Sequence, residues 1–400
     1  MFDMTAMIIF LALLHVPVLF FLFQPLIQVI LFQLKKLLGG RSGREATKSK
    51  KEFDFALIVT AYKDVDLIPP LVDSVNKNGY SKYTLYVVAD RCDTSRLDLK
   101  KASKVRLIEP EEPLDSKIAS IRLAIDSFER AHDVMVILDN DNLVSSNYLA
   151  ALNEKFGQGY RAVQTNLRPK NTDSVYARLD AVSNLFMNFT DRHFMSEFGL
   201  SSFIYGLGIA IEMKLYNELN YGQIVGGFDK KLQVYLADST IIGYEPRAKV
   251  FDEKVGEGEV IRNQRTRWLN SYFNFAGLGF YLIGRSFSTF SLRKFYFALN
   301  VLRLPWVVLG LVILFLALID LFVFPEFLYL LLSGSFALVA SIPLALRIEK
   351  APSNVLAVLP QIPKFIFWQL LSLLQLRKAK KEFLHTRHDR IVYVDEISDP

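Results

Sequence analysis

Val134-Met135-Val136-Ile137-Leu138-Asp139-Asn140-Asp141 is the stretch on which the fold class turns. Its unbroken apolar run suits a strand buried on both faces, as in a parallel sheet covered by helices. It stops abruptly at two carboxylates one residue apart. Working back toward the N-terminus, Phe55 to Thr60 and Tyr83 to Ala89 read as similar strands, and Val105 to Ile108 as a short one. Between them lie Leu67 to Lys77, which reads as a helix, and Thr94 to Ser103, a charged helical stretch. Ser116 to Arg130 predicts a further helix, with Ile118, Ile121, Leu123, Ile125 and Phe128 on its apolar face. This β-α-β-α order predicts an α/β domain with a mostly parallel sheet.

In such sheets ligands sit beyond the carboxyl ends of the strands. The first strand runs into Thr60-Ala61-Tyr62-Lys63-Asp64, the second ends at Asp90, and the fourth at Asp139-Asn140-Asp141. One such Asp is usually a cap or turn residue. Three converging on one edge suit Mg²⁺ or Mn²⁺, whose hard oxygen ligands would offset a diphosphate's charge. On this reading Asp141 ligates the metal, and Asp139 faces a ribose or a metal-bound water. Downstream, Gly226-Gly227-Phe228-Asp229 precedes a short helix over Lys230 to Leu236. There Asp229 is either a cap or a general base for an acceptor hydroxyl. In Gln264-Arg265-Thr266-Arg267-Trp268, Arg267 can neutralise a leaving diphosphate and Trp268 can stack on a sugar, or the pair can anchor the chain at a membrane interface.

The remainder of the chain points to a membrane. Apolar residues make up 51% of its 400 residues, with 32 Phe, and the surplus gathers at the two ends. Met7 to Leu34 is uncharged and exceeds the roughly 30 Å hydrocarbon thickness at about 1.5 Å per residue. It is too long, and lacks the preceding basic region, for a signal peptide. The basic block from Lys35 to Lys51 then places the central domain in the cytoplasm. Pro305 to Phe324 and Phe327 to Leu346 predict two more spans, parted by Asp320, Pro325 and Glu326 as a tight external hairpin, with Arg347 and Lys350 back on the inner side. Val355 to Leu376 holds Pro360, Pro363 and Lys364 and reads as a kinked interfacial helix, which keeps the Arg377 to Lys381 cluster inside. Leu269 to Ile283 reads as a second interfacial helix. The expected segments are therefore 1–36, an N-terminal span and anchor; 53–265, the catalytic domain; 266–300, interfacial helices; 304–347, a two-helix hairpin; and 352–400, an interfacial helix and tail.

The net charge of +6 sits in clusters beside the apolar runs, which assigns it to membrane anchoring and argues against nucleic acid. Cys92 is the only cysteine, so neither an internal disulfide nor a thiolate metal cluster can form within the chain. Gly206-Leu207-Gly208 lacks the third glycine of a dinucleotide fingerprint and does not open a βαβ unit. Hydrolase signatures are missing, and the five histidines are scattered, with His385 and His388 read as facing lipid or solvent.

The order of these pieces resembles the family 2 glycosyltransferases, in particular the membrane cellulose, chitin, hyaluronan and poly-N-acetylglucosamine synthases. The likeness runs from the first membrane segment to His385-Thr386-Arg387. It implies a GT-A-like nucleotide-sugar-binding domain in an integral membrane protein. Ala61, Tyr62 and Asp64 would border the nucleoside, and Asp90 would be the nucleotide-binding aspartate. Lys117 matches a lysine of the family's loop-helix signature, and Asp139-Asn140-Asp141 its metal-binding Asp-x-Asp. Tyr205-Gly206-Leu207-Gly208 resembles the stretch bordering the acceptor, which brings in Gly206. Asp229 falls at the catalytic base, with Gly227-Phe228 in place of the usual Thr-Glu, a change that bears on acceptor preference. Gln264, Arg267 and Trp268 match Gln-x-x-Arg-Trp in full. The implied reaction is an inverting transfer from a UDP-sugar to a growing glycan. A lipid acceptor such as a polyprenyl phosphate or sphingoid is the alternative, and a non-catalytic subunit of a glycan export complex is another. Three spans provide little wall for a polymer channel, so a second subunit or a dimer is expected for polymer export.

Overall fold

The apolar runs pair into an eight-stranded sheet among the described residues of the computed structural model, which are 4–40, 51–97, 103–219, 228–256, 258–374 and 390–397. Most of the basic block (41–50), Gly226-Gly227, the Arg377 to Lys381 cluster and His385 to His388 lie outside them.

After the long helix α1 (Met4–Leu37), the chain alternates as β1 (Phe55–Tyr62), α2 (Ile68–Asn76), β2 (Tyr83–Asp90), β3 (Val105–Ile108), α3 (Lys117–Asp126) and β4 (Val134–Asp139). It continues through β5 (Leu143–Val144), α4 (Tyr148–Gly157), β6 (Ala162–Pro169) and α5 (Val175–Asn188). A single π-helical turn (Phe189–His193) joins α5 to α6 (Phe194–Glu197). Then come β7 (Ile209–Glu212), α7 (Met213–Glu218), α8 (Phe228–Ser239) and β8 (Ile242–Asp252). The helices α9 (Gly258–Phe275), α10 (Gly277–Ser288), α11 (Leu292–Val301), α12 (Trp306–Val323), α13 (Pro325–Ile348), α14 (Ser353–Leu356) and α15 (Ile362–Leu374) complete the chain.

The strand order β3-β2-β1-β4-β7-β6-β8-β5 is parallel from β3 to β4 and mixed beyond it, where β7 runs antiparallel to both β4 and β6. Alternate residues enter two cores, as period-two side chains must. Ala56, Ile58, Tyr86, Val88, Met135 and Ile137 pack with α3 and α8 on one face. Leu57, Val59, Leu85, Val87, Val136 and Leu138 pack with α2 and α4 on the other. The register sets Tyr62 opposite Asp90 and Thr60 opposite Asp139, so the acidic strand ends share one edge.

Several expected elements differ from the structure. Thr94 to Leu97 forms a turn closed by Leu97 N–H to Thr94 O at 2.9 Å, and 98–102 lies outside the described residues. The Asp93 carboxylate takes the Ser95 amide at 3.0 Å, a local bond that competes with helix. The helix α3 stops at Asp126, short of Arg130, and Ser127 Oγ donates back to Leu123 O at 2.7 Å. The presumed interfacial stretch Leu269 to Ile283 is split between α9 and α10 at Ala276, placing Gln264 to Trp268 inside α9. The helix at Asp229 is longer than Lys230 to Leu236 and includes Asp229 in its first turn. Val355 to Leu376 is broken into α14, a 3-10 turn (Leu359–Gln361) and α15.

Among the described residues, three helices are long and apolar enough to cross a membrane: Met7–Leu37 of α1, then α12 and α13. Asp320 does not mark the hairpin turn between the last two. It is fully buried within α12, where its Oδ2 meets His15 Nε2 of α1 at 2.8 Å. A carboxylate among apolar helices needs such a partner.

Candidate active site

Lys117, the first residue of α3, is aimed by its cap: Ser116 Oγ accepts the Ala119 amide at 3.4 Å. Its Nζ donates to Asp139 Oδ1 and to the Gly206 carbonyl, the latter at 2.7 Å. The end of β4 and the loop before β7 are thereby tied through one ammonium. Gly206 in turn abuts the start of α8, since a Cβ on it would lie 3.6 Å from the Phe228 ring and 3.9 Å from Asp229 Cβ. Asp229 is partly exposed and pairs with Lys230 at 3.6 Å. Asp139, Lys117, Gly206 and Asp229 thus surround one space.

Arg267 closes that space from α9. Burial pushes its guanidinium below the ordinary range, while Asp139 draws it upward. A desolvated cation facing a carboxylate edge is a strong site for an anionic ligand. Gln264, Arg267 and Ser271, at i, i+3 and i+7, share a helix face. Gln264 Oε1 and Ser271 Oγ are buried there without hydrogen-bond partners. Orphaned polar atoms beside a half-buried guanidinium suit a polar ligand. Trp268 is 43% exposed, and one face of its ring already carries the Arg265 guanidinium at 4.3 Å.

Asp141 bonds to a different set of partners from Asp139. Its Oδ2 accepts the Glu253 amide at 3.2 Å and its Oδ1 the Asn142 side chain at 3.2 Å, while Lys170 Nζ donates to its carbonyl at 3.3 Å. Neighbouring Asp252 ends β8, and its two oxygens hold Lys254 Nζ at 2.9 and 3.0 Å. Burial pushes the Asp252 carboxyl up to about 6; Lys254 opposes that rise and Asp141 adds to it.

No group of three His, Cys, Asp or Glu converges on a metal position among the described residues. Mg²⁺ or Mn²⁺ held by one or two carboxylates and completed by substrate phosphates does not require one. A carboxylate has about four lone-pair sites, so Asp139 and Asp141 keep acceptor capacity beyond the bonds above. The residues present fit such a cation.

Asp90 sits apart from this cluster. It and Asp139 flank β1, two strand spacings or about 10 Å across. Its oxygens accept the Leu114 and Asp115 amides at 3.0 and 2.7 Å, pinning the loop before α3. Beside it, Asp115 accepts Tyr62 Oη at 2.8 Å and Arg91 at 2.8 and 2.6 Å. Lys63, Arg91 and Asp115 have φ of 66°, 56° and 47°. Three such non-glycine residues in adjoining loops mark stored strain of the kind found at binding sites. Ala61 is buried in β1, whereas Asp64 Oδ1 caps its own turn at the Asp66 amide (2.8 Å) and Asn140 Nδ2 braces the Asp64 carbonyl at 3.4 Å.

The structure therefore gathers Lys117, Asp139, Gly206 and Asp229, with Arg267 within electrostatic reach of Asp139 and Gln264 on the same helix face as Arg267. Asp141 lies near Asp252, and Tyr62, Asp64 and Asp90 lie along a separate part of the edge. Asp252, Ser271, Arg91 and Asp115 did not emerge from the sequence. Ser271 was legible as one helical turn beyond Arg267, but Asp252 had no signal apart from ending an apolar run.

Residues 53–271, more than half of the chain, match the profile described as glycosyltransferase like family 2. A search of curated proteins returns no match. Among solved structures the chain is similar to the mannosyltransferase PcManGT from Pyrobaculum calidifontis in complex with GDP-Man and Mn²⁺, at 15% identity over 93% of this chain and 100% of that one, with a TM-score of 0.53. It also matches S. aureus TarS 1-349 in complex with UDP, at 15% identity over 75% of this chain and 92% of that one, TM-score 0.37. A third match is GalNAc-T7 with UDP, GalNAc and Mn²⁺, at 13% identity over 51% of this chain and 44% of that one, TM-score 0.40. Of these three, the first supports the GT-A-like fold. With more than half its length inside the family profile, the chain belongs to the glycosyltransferase like family 2 and is an enzyme of glycosyl transfer from a nucleotide sugar.

Proposed function

We propose that the chain is an inverting, metal-dependent transferase that moves a hexosyl or N-acetylhexosaminyl group from a UDP-sugar to a growing glycan at the cytoplasmic face of a membrane. One observation carries this reading: Lys117 ties Asp139 to Gly206, Gly206 abuts Asp229, and half-buried Arg267 lies within electrostatic reach of Asp139. Asp229 takes the proton of the acceptor hydroxyl, whose oxygen attacks the anomeric carbon from the side opposite the nucleotide. The bond to the diphosphate breaks, and its electron pair leaves with the UDP oxygen. Arg267 stabilises the charge that develops there. Asp139 and Asp141 are the residues that would hold Mg²⁺ or Mn²⁺, which when bound offsets the diphosphate charge. The edge formed by Ala61, Tyr62, Asp64 and Asp90 takes the nucleoside, Asn140 braces the Asp64 loop, and Gln264 and Trp268 border the sugars.

The cytoplasmic placement rests on Lys35 and Lys36 at the end of α1, on Arg347 in the last turn of α13 and on Lys350 just after it. Three candidate spans among the described residues also favour a second reading, a non-processive transfer to a lipid acceptor. Membranes carrying the full chain, supplied in turn with UDP-sugars and GDP-mannose, test both readings through released nucleotide and product length. Oligomer ladders support the glycan acceptor, and a single glycolipid supports the lipid. Full turnover by Asp141→Ala with excess Mg²⁺ and Mn²⁺ removes the metal role.

A further inference from the structure

The π-helical turn Phe189–His193 meets side chains from α1, from the residues that lead into α12 and from the residue that ends α13. From α1, Gln28 Nε2 donates to Thr190 O at 3.2 Å, and the Phe32 ring lies 5.5 Å from Phe189 and 5.0 Å from His193. At the entrance to α12, Arg303 grips Asp191 with two bonds of 3.0 and 2.7 Å. Directly after α13, Glu349 meets His193 Nδ1 at 2.7 Å. Isolated π turns interrupt helices where function needs side chains re-aimed.

The same turn templates the segment that reaches the active site. The Phe203 amide donates to Asp191 O at 2.9 Å, and Ser202 Oγ to Arg192 O at 3.2 Å. Arg192, 2% exposed, lays its guanidinium 3.3 Å from the centre of the Tyr205 ring. Next in sequence is Gly206, whose carbonyl holds Lys117 against Asp139.

We propose that Arg192 is a positioning residue for glycosyl transfer: by stacking on Tyr205 it sets the height of Gly206 at the acceptor side of the site, with the membrane helices as its footing. This rests on the site assignment of the preceding subsection. Arg192 touches no reacting atom, so its effect belongs to orientation, where a displacement of about 1 Å can cost about a hundredfold in rate.

The test compares the full chain in lipid nanodiscs with Arg192→Ala and, separately, Tyr205→Leu, which removes the ring without altering the π turn. UDP affinity, donor KM, kcat and thermal midpoint are measured for each. The expected result is a kcat at least tenfold lower in both variants, with UDP affinity and donor KM within threefold of the parent. A kcat within twofold of the parent in either folded variant overturns the proposal. So does a parallel fall in kcat, UDP affinity and thermal midpoint, which marks a merely structural contact. Should Arg192→Ala fail to fold, Tyr205→Leu decides alone. A parent chain that binds no UDP refutes the site assignment and this inference with it, whereas normal UDP binding with unaltered variant kinetics refutes this inference only.

Discussion

Arg267 is half-buried, so desolvation disfavours its charge, and in the proposed role a diphosphate beside Asp139 would favour it. Arg267→Ala should lower kcat by about 10²–10³, the usual cost of losing one preorganised charge stabiliser, as read by UDP release. Arg267→Lys should not restore it, because a point charge cannot reproduce a planar fork. At Asp229, Asn keeps the shape and removes the basic oxygen, so Asp229→Asn should lose about 10²–10⁴ in kcat while UDP affinity holds. Calorimetry on the same variant checks the second half. Retained turnover would return Asp229 to being a helix-start residue. Asp229 was legible because it stands at a helix start, and Arg267 because Gln264, Arg267 and Trp268 repeat a family motif inside α9. Asp252 was not legible, since its importance comes from burial next to Asp141 and Lys254.

The decisive element is the loop carrying Gly206 and Gly208 into β7. Gly208 has φ +63°, and a Cβ there would lie 2.5 Å from Thr165 Oγ1 and 3.3 Å from Val250 Cγ2. Gly208→Ala should therefore destabilise the protein by about 3 kcal/mol through backbone strain and overlap, measured by denaturant or thermal unfolding in detergent. Gly206→Ala meets only ordinary contacts at 3.6 Å and beyond, so it should fold normally. An equal loss of stability in both would show that the left-handed turn is not the constraint. The strands themselves were readable from period and composition. Thr94 to Leu97 is a turn and not a helix because the Asp93 side chain holds it locally, and Leu269 to Ile283 is helical but broken at Ala276 between α9 and α10.

Across the whole molecule, catalytic domain and membrane helices are joined by buried ionic pairs. Burial lowers the His193 pKa, but the hydrogen bond and charge of Glu349 outweigh it and leave the imidazole raised above its ordinary value. The stability this pair contributes is fully present below the unfolded-state pKa of about 6.5. It is lost as pH rises through the higher folded value. The thermal midpoint should accordingly fall between pH 6 and pH 8.5, and His193→Gln should flatten that dependence; a parallel pH profile in the variant would sink the assignment. Within the membrane region, His15→Ala strands buried Asp320 and should cost about 3–5 kcal/mol, whereas replacing both by Leu should recover most of it. Equal losses in the single and double variants would mean that the pair does not act as a pair.

By itself the sequence determined the α/β alternation, the acidic strand ends and the apolar stretches of membrane-spanning length, and its family resemblance pointed to glycosyl transfer. All of these are written in short-range periodicity or in chain order, which survive without coordinates. Only the tertiary structure decided that Asp320 answers His15 across 305 residues, that Asp252 stands near Asp141, and that Arg192 of the π turn stacks on Tyr205 next to Gly206. Such pairings depend on which surfaces exclude water together, and burial of that kind belongs to the folded chain, not to any stretch of it.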